Sequence, residues 1–150
     1  MQIEMQEMVS ESEEMTLALG ERLAGLLPSG CVVALVGDLG CGKTVLARGI
    51  ARGLGITEAV TSPTFTVAQE YRRPNGEYLY HLDMYRISDE NAALAFGIDE
   101  FLFQPNAITL VEWPEQIAAL LERPQLRTVR FRHLDATRRA ITLENWPIDG

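Results

Sequence analysis

Gly37-Asp38-Leu39-Gly40-Cys41-Gly42-Lys43-Thr44 decides how the rest of the chain is read, because it matches the phosphate-loop (P-loop) pattern G-x-x-x-x-G-K-[ST] in full. Lys43 is the only lysine among 13 basic residues; the remainder are arginine. A compact ammonium on a flexible stem has been kept at the one place where a phosphate-binding loop needs it. The flanks fit on both sides. Cys31 to Val36 is a continuous apolar run of strand length, as expected of a parallel strand buried on both faces. Thr44 to Arg52 reads as a helix with Leu46, Ile50 and Leu54 on one side, and Gly53 and Gly55 supply its stop.

Glycines in such a loop let successive backbone N–H groups converge on phosphates, and the helix N-terminus adds partial positive charge. The motif therefore assigns Asp38, Leu39, Gly40, Cys41, Gly42, Lys43, Thr44 and Val45 to a nucleoside triphosphate. Lys43 is expected at the β and γ phosphates, and the Thr44 hydroxyl at Mg²⁺. An ordinary tight turn between strand and helix is the plainer alternative.

A chain of 150 residues, 47% of them apolar, suits a single domain with a real core, and no run of apolar residues reaches membrane-spanning length. Met1-Gln2-Ile3-Glu4-Met5-Gln6-Glu7 has neither the basic region nor the apolar core of a secretory signal. Cys31 and Cys41 are poorly placed for a mutual disulfide, so a reducing cytoplasm is the expected location. With 21 acidic against 13 basic residues, the net charge of −8 argues against a protein that grips nucleic acid by itself and favours a soluble monomer. Arg123, Arg127, Arg130, Arg132, Arg138 and Arg139 crowd the last third. They read as outward positions on antiparallel strands, with a small basic face toward RNA or an acidic partner as the sharper alternative.

Ser12 is expected to cap a helix carrying Met15, Leu19, Leu23 and Leu26 on one face and ending near Pro28-Ser29-Gly30. A strand from Phe65 to Tyr71, the turn Arg73-Pro74-Asn75-Gly76 and a strand from Tyr78 to Asp83 form a hairpin. A short helix from about Ser88 stops at Gly97, and Ala107 to Glu112 is a second buried-strand pattern. Pro114 opens a helix that ends before Pro124, and Arg127 to His133 and Arg139 to Glu144 alternate as two final strands. Interleaved strands and helices give an α/β fold: three layers, with a mixed, mainly parallel sheet between helices.

P-loop enzymes hold their metal with a carboxylate at the end of a neighbouring strand. Glu112 follows the more continuous apolar run and is assigned to Mg²⁺; Asp83 is assigned to orienting or deprotonating the attacking water. Strand-end position alone leaves these two roles exchangeable. Thr61-Ser62-Pro63-Thr64-Phe65 reads either as a γ-phosphate-sensing segment or as a plain loop.

Together with the P-loop, Ser62-Pro63-Thr64-Phe65, His81-Leu82-Asp83-Met84-Tyr85-Arg86 and Val111-Glu112-Trp113-Pro114 closely resemble the bacterial TsaE (YjeE) family, in order and spacing from about Ser12 to Glu115. The last third is similar only loosely. The resemblance implies a small ATPase required for the threonylcarbamoyl modification of tRNA adenosine beside the anticodon. It further implies action with TsaD, the transferase subunit, and TsaB, its scaffold, so that tRNA is met only indirectly. Carried over to this sequence, it makes Lys43 and Thr44 the phosphate and Mg²⁺ contacts, Glu112 the second metal ligand, and Asp83 important for hydrolysis. It also places Thr64 in the switch-like segment and Glu13 at the border of the adenine. Trp113 is a family hallmark without a derivable role, a core aromatic being the alternative. Cys41 stands where the family usually has alanine.

Three other classes bear on the reading. A guanine-specific switch needs N-K-x-D, and a chain whose single lysine is in the P-loop has none. A small-molecule kinase shares the P-loop but usually closes a helical, arginine-bearing lid, where this chain reads as a hairpin with Arg72 and Arg73. A regulatory nucleotide-binding module without chemistry is the third.

Overall fold

A computed structural model describes residues 2–38, 40, 42–60 and 67–147. Its centre is one seven-stranded sheet, made of β1 (Gln2–Ser10), β2 (Val32–Val36), β3 (Ala68–Arg72), β4 (Tyr78–Asp83), β5 (Ala107–Glu112), β6 (Leu126–His133) and β7 (Arg139–Pro147). Their spatial order is β1-β7-β6-β2-β5-β4-β3. The four middle strands β6, β2, β5 and β4 run parallel, while β1–β7, β7–β6 and β3–β4 pair antiparallel. The mixed α/β sheet expected from the sequence is thus present, its parallel portion gathered at the centre.

Two cores cover the two faces. On one side, α1 (Glu13–Ala24) and α2 (Lys43–Gly53) bury Leu19, Leu23, Leu46 and Ile50 against Val33, Leu35, Leu110, Ile141 and Leu143. On the other, α3 (Glu90–Ala95) and two 3₁₀ segments, Ile98–Phe101 and Pro114–Leu120, cover Val32, Leu82 and Val111. The period-two alternation of a strand sends neighbouring residues to opposite layers, which is why Val32 and Val33 belong to different cores.

Local chemistry sets the boundaries. Ser12 Oγ accepts the Met15 N–H at 3.1 Å and starts α1, as its sequence position suggested. Asp89 does the same for α3 through the Ala92 N–H, and Gly97 leaves the helix with φ 76°. α1 and α2 cross so closely that a Cβ on Gly20 would lie 2.6 Å from the Leu46 carbonyl oxygen. Only glycine permits that approach.

One strand is additional to the expectations, and four expectations need adjustment. β1 carries no strand signal strong enough to be read alone; it exists because β7 offers it an edge from Ser10 to Gln2. α1 ends at Ala24, before the Pro28 turn, and Met15 is exposed rather than on the buried face. The hairpin strand begins at Ala68, and Phe65 lies outside the described residues. The segment opened by Pro114 is 3₁₀ with a kink at Ile117, where φ is −130°. Arg127 is buried: its Nη1 donates to the Leu26 carbonyl at 2.8 Å and its guanidinium lies over the Trp146 ring. No helix among the described residues is long and apolar enough to cross a membrane.

Candidate active site

Parallel strands end at one edge of the sheet, so the turns that follow β2, β4 and β5 meet there. Register places Leu35 opposite Glu112 and Glu112 opposite Asp83, putting the two carboxylate residues side by side, Glu112 one strand and Asp83 two strands over from the P-loop strand. Leu79, Leu110 and Leu35 belong to the core under α1 and α2, and alternation carries His81, Asp83 and Glu112 to that same face. α2 begins at Lys43 directly after Gly42, whose φ of 108° suits glycine.

A cleft of about 230 Å³ opens at this edge, lined by Ser12, Glu13 and Thr16 of the α1 start, Gly40, Gly42, Lys43, Thr44 and Val45 of the P-loop, Glu112, and Arg139. Seven residues expected from the sequence therefore share one wall system: Glu13, Gly40, Gly42, Lys43, Thr44, Val45 and Glu112. Asp38 is exposed and is not part of this lining. Leu39, Cys41 and Thr64 lie outside the described residues.

Lys43 is 4% exposed. Its Nζ donates to the Gly37 carbonyl at 2.7 Å and stands 4.2 Å from the centroid of the Trp113 ring. The carbonyl and the aromatic face replace part of the hydration that burial removes. Trp113 thereby has a place its sequence could not give it. With φ 57° it sits in the left-handed region, its ring leaning on Tyr85 on one hand and taking the Lys43 charge on the other. It also packs on the core beneath α3, so the core-aromatic alternative describes part of its role.

Glu112 is buried, and His81, fully buried beside it, donates from Nε2 to Glu112 Oε2 at 2.6 Å. His81 Nδ1 has no hydrogen-bond partner among the described residues. Asp83 is half-buried, and its Oδ1 accepts the Tyr85 N–H at 2.9 Å. Burial raises the Asp83 carboxyl above its ordinary value. The Tyr85 N–H opposes that rise, the Glu112 charge adds to it, and His81 and Lys43 oppose it.

No group of three or more His, Cys, Asp or Glu able to hold a metal occurs among the described residues. A P-loop Mg²⁺ needs no such cage, since it takes a hydroxyl, one carboxylate, phosphate oxygens and water. The donor set fits that chemistry: Thr44 and Glu112 line the same cleft beside Lys43.

The motif around His81 does not disclose a role for it, and no local pattern marks Thr16 or Arg139 as part of the site. Thr16 shares a 2.7 Å hydroxyl contact with Ser10, a pairing across the β1–α1 turn that no sequence pattern announces. Arg139 was visible only as one of six clustered arginines.

A parallel strand, a glycine-rich loop, a helix beginning at the loop's lysine, and carboxylates ending the adjoining strands define a P-loop α/β protein. The family model for "Threonylcarbamoyl adenosine biosynthesis protein TsaE" matches residues 10–141, and the chain belongs to that family. Among relatives named tRNA threonylcarbamoyladenosine biosynthesis protein TsaE, the Synechocystis sp. protein is 45% identical over 67% of this chain and 65% of its own length. The Bacillus subtilis one is 43% identical over 83% of this chain and 77% of its own. The crystal structure of Bacillus subtilis YdiB superposes with a TM-score of 0.77 at 30% identity, covering 97% of this chain and 87% of that one.

Proposed function

We propose that this protein binds ATP with Mg²⁺ in the cleft at the P-loop, hydrolyses it slowly, and serves the threonylcarbamoyladenosine modification of tRNA. ATP binding favours docking to TsaB and TsaD, and hydrolysis resets that pair between rounds of transfer. The observation that carries this reading is the convergence of Lys43, Thr44 and Glu112 on one cleft at the start of α2. Membership in the TsaE family supports the pathway. A net charge of −8 is consistent with a factor that works on a tRNA-binding partner rather than on tRNA directly.

Each residue has a separable task. The backbone N–H groups about Gly40, Gly42 and Lys43 cradle phosphate oxygens, with the α2 N-terminus adding its dipole. Lys43 contributes a point charge at the β and γ phosphates, held in reach by Gly37 and Trp113. The Thr44 hydroxyl and Glu112 would hold Mg²⁺, which when bound neutralises charge building on the phosphates. His81 fixes which way the Glu112 carboxylate faces. Asp83, made more basic by burial, orients the attacking water and accepts its proton. Glu13 and Thr16 border the nucleoside end.

The test is ATP hydrolysis by the purified protein, alone and with TsaB plus TsaD, with Lys43→Ala and Glu112→Ala as controls. Partner-dependent stimulation lost in both variants supports the reading. Rapid turnover by the isolated chain that partners leave unchanged would refute it.

A further inference from the structure

The arginines of the last two strands separate once their partners are known. Arg130 pairs with Glu144, Arg138 with Asp135 at 2.7 Å, and Arg132 faces Glu7 at 3.9 Å, all as exposed ion pairs. Arg127 is spent on Leu26 and Trp146, and Arg123 covers the Phe103 ring. Arg139 differs in direction. Ile141 and Leu143 belong to the core beneath α1 and α2, so alternation along β7 carries Arg139 to the same face, one step beyond the core's edge.

That step ends at the P-loop. Arg139 Nη2 donates to the Gly40 carbonyl at 3.3 Å, and its side chain runs so close to Gly42 that a Cβ there would lie 3.6 Å from Arg139 Cδ. The residue lines the cleft together with Lys43, Thr44 and Glu112. Its position is fixed from two sides. Cα register pairs Arg139 with His133 of β6 and with Ser10 of β1, and the Ser10 hydroxyl in turn meets Thr16 of the cleft wall. A guanidinium presents its N–H donors in a planar fork whose geometry matches phosphate oxygens.

We propose that Arg139 is a phosphate-binding residue of this cleft, a second cation that the β6–β7 hairpin delivers in cis to the polyphosphate of the bound nucleotide. The inference rests on the reading of the cleft as a nucleotide site. A planar fork binds phosphate bidentately where Lys43 can act only as a point charge, so the two cations are not redundant. Because charge-assisted hydrogen bonds add with each phosphate reached, Arg139 favours tri- and diphosphates over monophosphates.

The experiment is titration calorimetry of ATP, ADP and AMP with Mg²⁺ on wild type, Lys43→Ala, Arg139→Ala and Arg139→Lys, each checked for folding by thermal melting. Arg139→Ala is expected to weaken ATP and ADP by about 10- to 100-fold and AMP by only a few-fold. Arg139→Lys should recover part of the loss, since it restores charge without the fork. Unchanged ATP affinity in Arg139→Ala, with binding lost in Lys43→Ala, would overturn the proposal and leave the nucleotide site standing. An equal loss for ATP and AMP, with Arg139→Lys no better than alanine, would also overturn it, making Arg139 a brace of the loop. If wild type binds no better than Lys43→Ala, the nucleotide reading fails first and the proposal with it.

Discussion

His81 Nε2 and Glu112 Oε2 lie 2.6 Å apart with both side chains removed from water, so the orientation of the cleft's buried carboxylate is set by a neighbour from the adjoining strand. Removing one partner of such a pair leaves the other desolvated and alone. His81→Ala is expected to cost about 3 kcal/mol in urea unfolding, whereas His81→Gln, which keeps a donor, should cost about 1. Equal losses in the two variants would mean that shape rather than the hydrogen bond matters there.

Lys43 inverts the usual result for a buried side chain. Truncating a buried residue ordinarily costs about 2–5 kcal/mol. Here the side chain carries an ammonium whose described contacts are a carbonyl and a ring, so its own desolvation offsets much of what it contributes. Lys43→Met should melt within about 3 °C of wild type, or above it, while losing nucleotide binding. A drop of 10 °C would show the lysine to be structural.

The α1–α2 crossing predicts a reversed sign for a common stabilising change. Gly→Ala inside a helix usually gains about 0.5–1 kcal/mol. Gly49 is in α2, and a Cβ on it would press into the Leu17 carbonyl of α1. Gly49→Ala should therefore lower the urea midpoint, by about 1–3 kcal/mol in stability. A rise would mean that the helices separate without cost.

Cys31 makes stability fall in alkali. Burial raises its thiol from 9.0 to about 11, the Arg127 charge opposing the shift only in part. Between those values the folded chain keeps a proton that the unfolded chain has released, so unfolding becomes easier as pH rises through the window. Denaturation from pH 8 to 11 should show this decline, and Cys31→Ser should flatten it. Iodoacetamide at pH 8 should leave Cys31 unlabelled in the native protein.

What the sequence made legible was what local pattern encodes. The P-loop with its strand and helix, the Ser12 cap, the Ala107 to Glu112 strand and the β3–β4 turn each advertise themselves within a dozen residues. Glu112 and Asp83 could be placed at strand ends, and register sets them side by side. β1, Arg139 and the Lys43–Trp113 contact were illegible for one shared reason. Each depends on residues distant in the chain: β1 on the edge that β7 presents, Arg139 on a hairpin folding over a loop, and Trp113 on a left-handed backbone turn that aims an aromatic at a helix start. Arg127 misled in the opposite way, since a charge in an alternating strand reads as outward unless the Trp146 ring across the sheet is known.

The sheet order has a consequence for how the chain comes into being. β2, which carries the phosphate loop, lies between β5 and β6, and both are made long after it. A growing chain thus presents the apolar Val32–Val36 ribbon with both its edges open until late in translation, an interval in which it can pair wrongly. The wall bearing Arg139 arrives later still, with β7. Under the proposed function, nucleotide stabilises only a form that already binds it, so it would offer the nascent chain no help with its hardest step and would lock the fold only at the end.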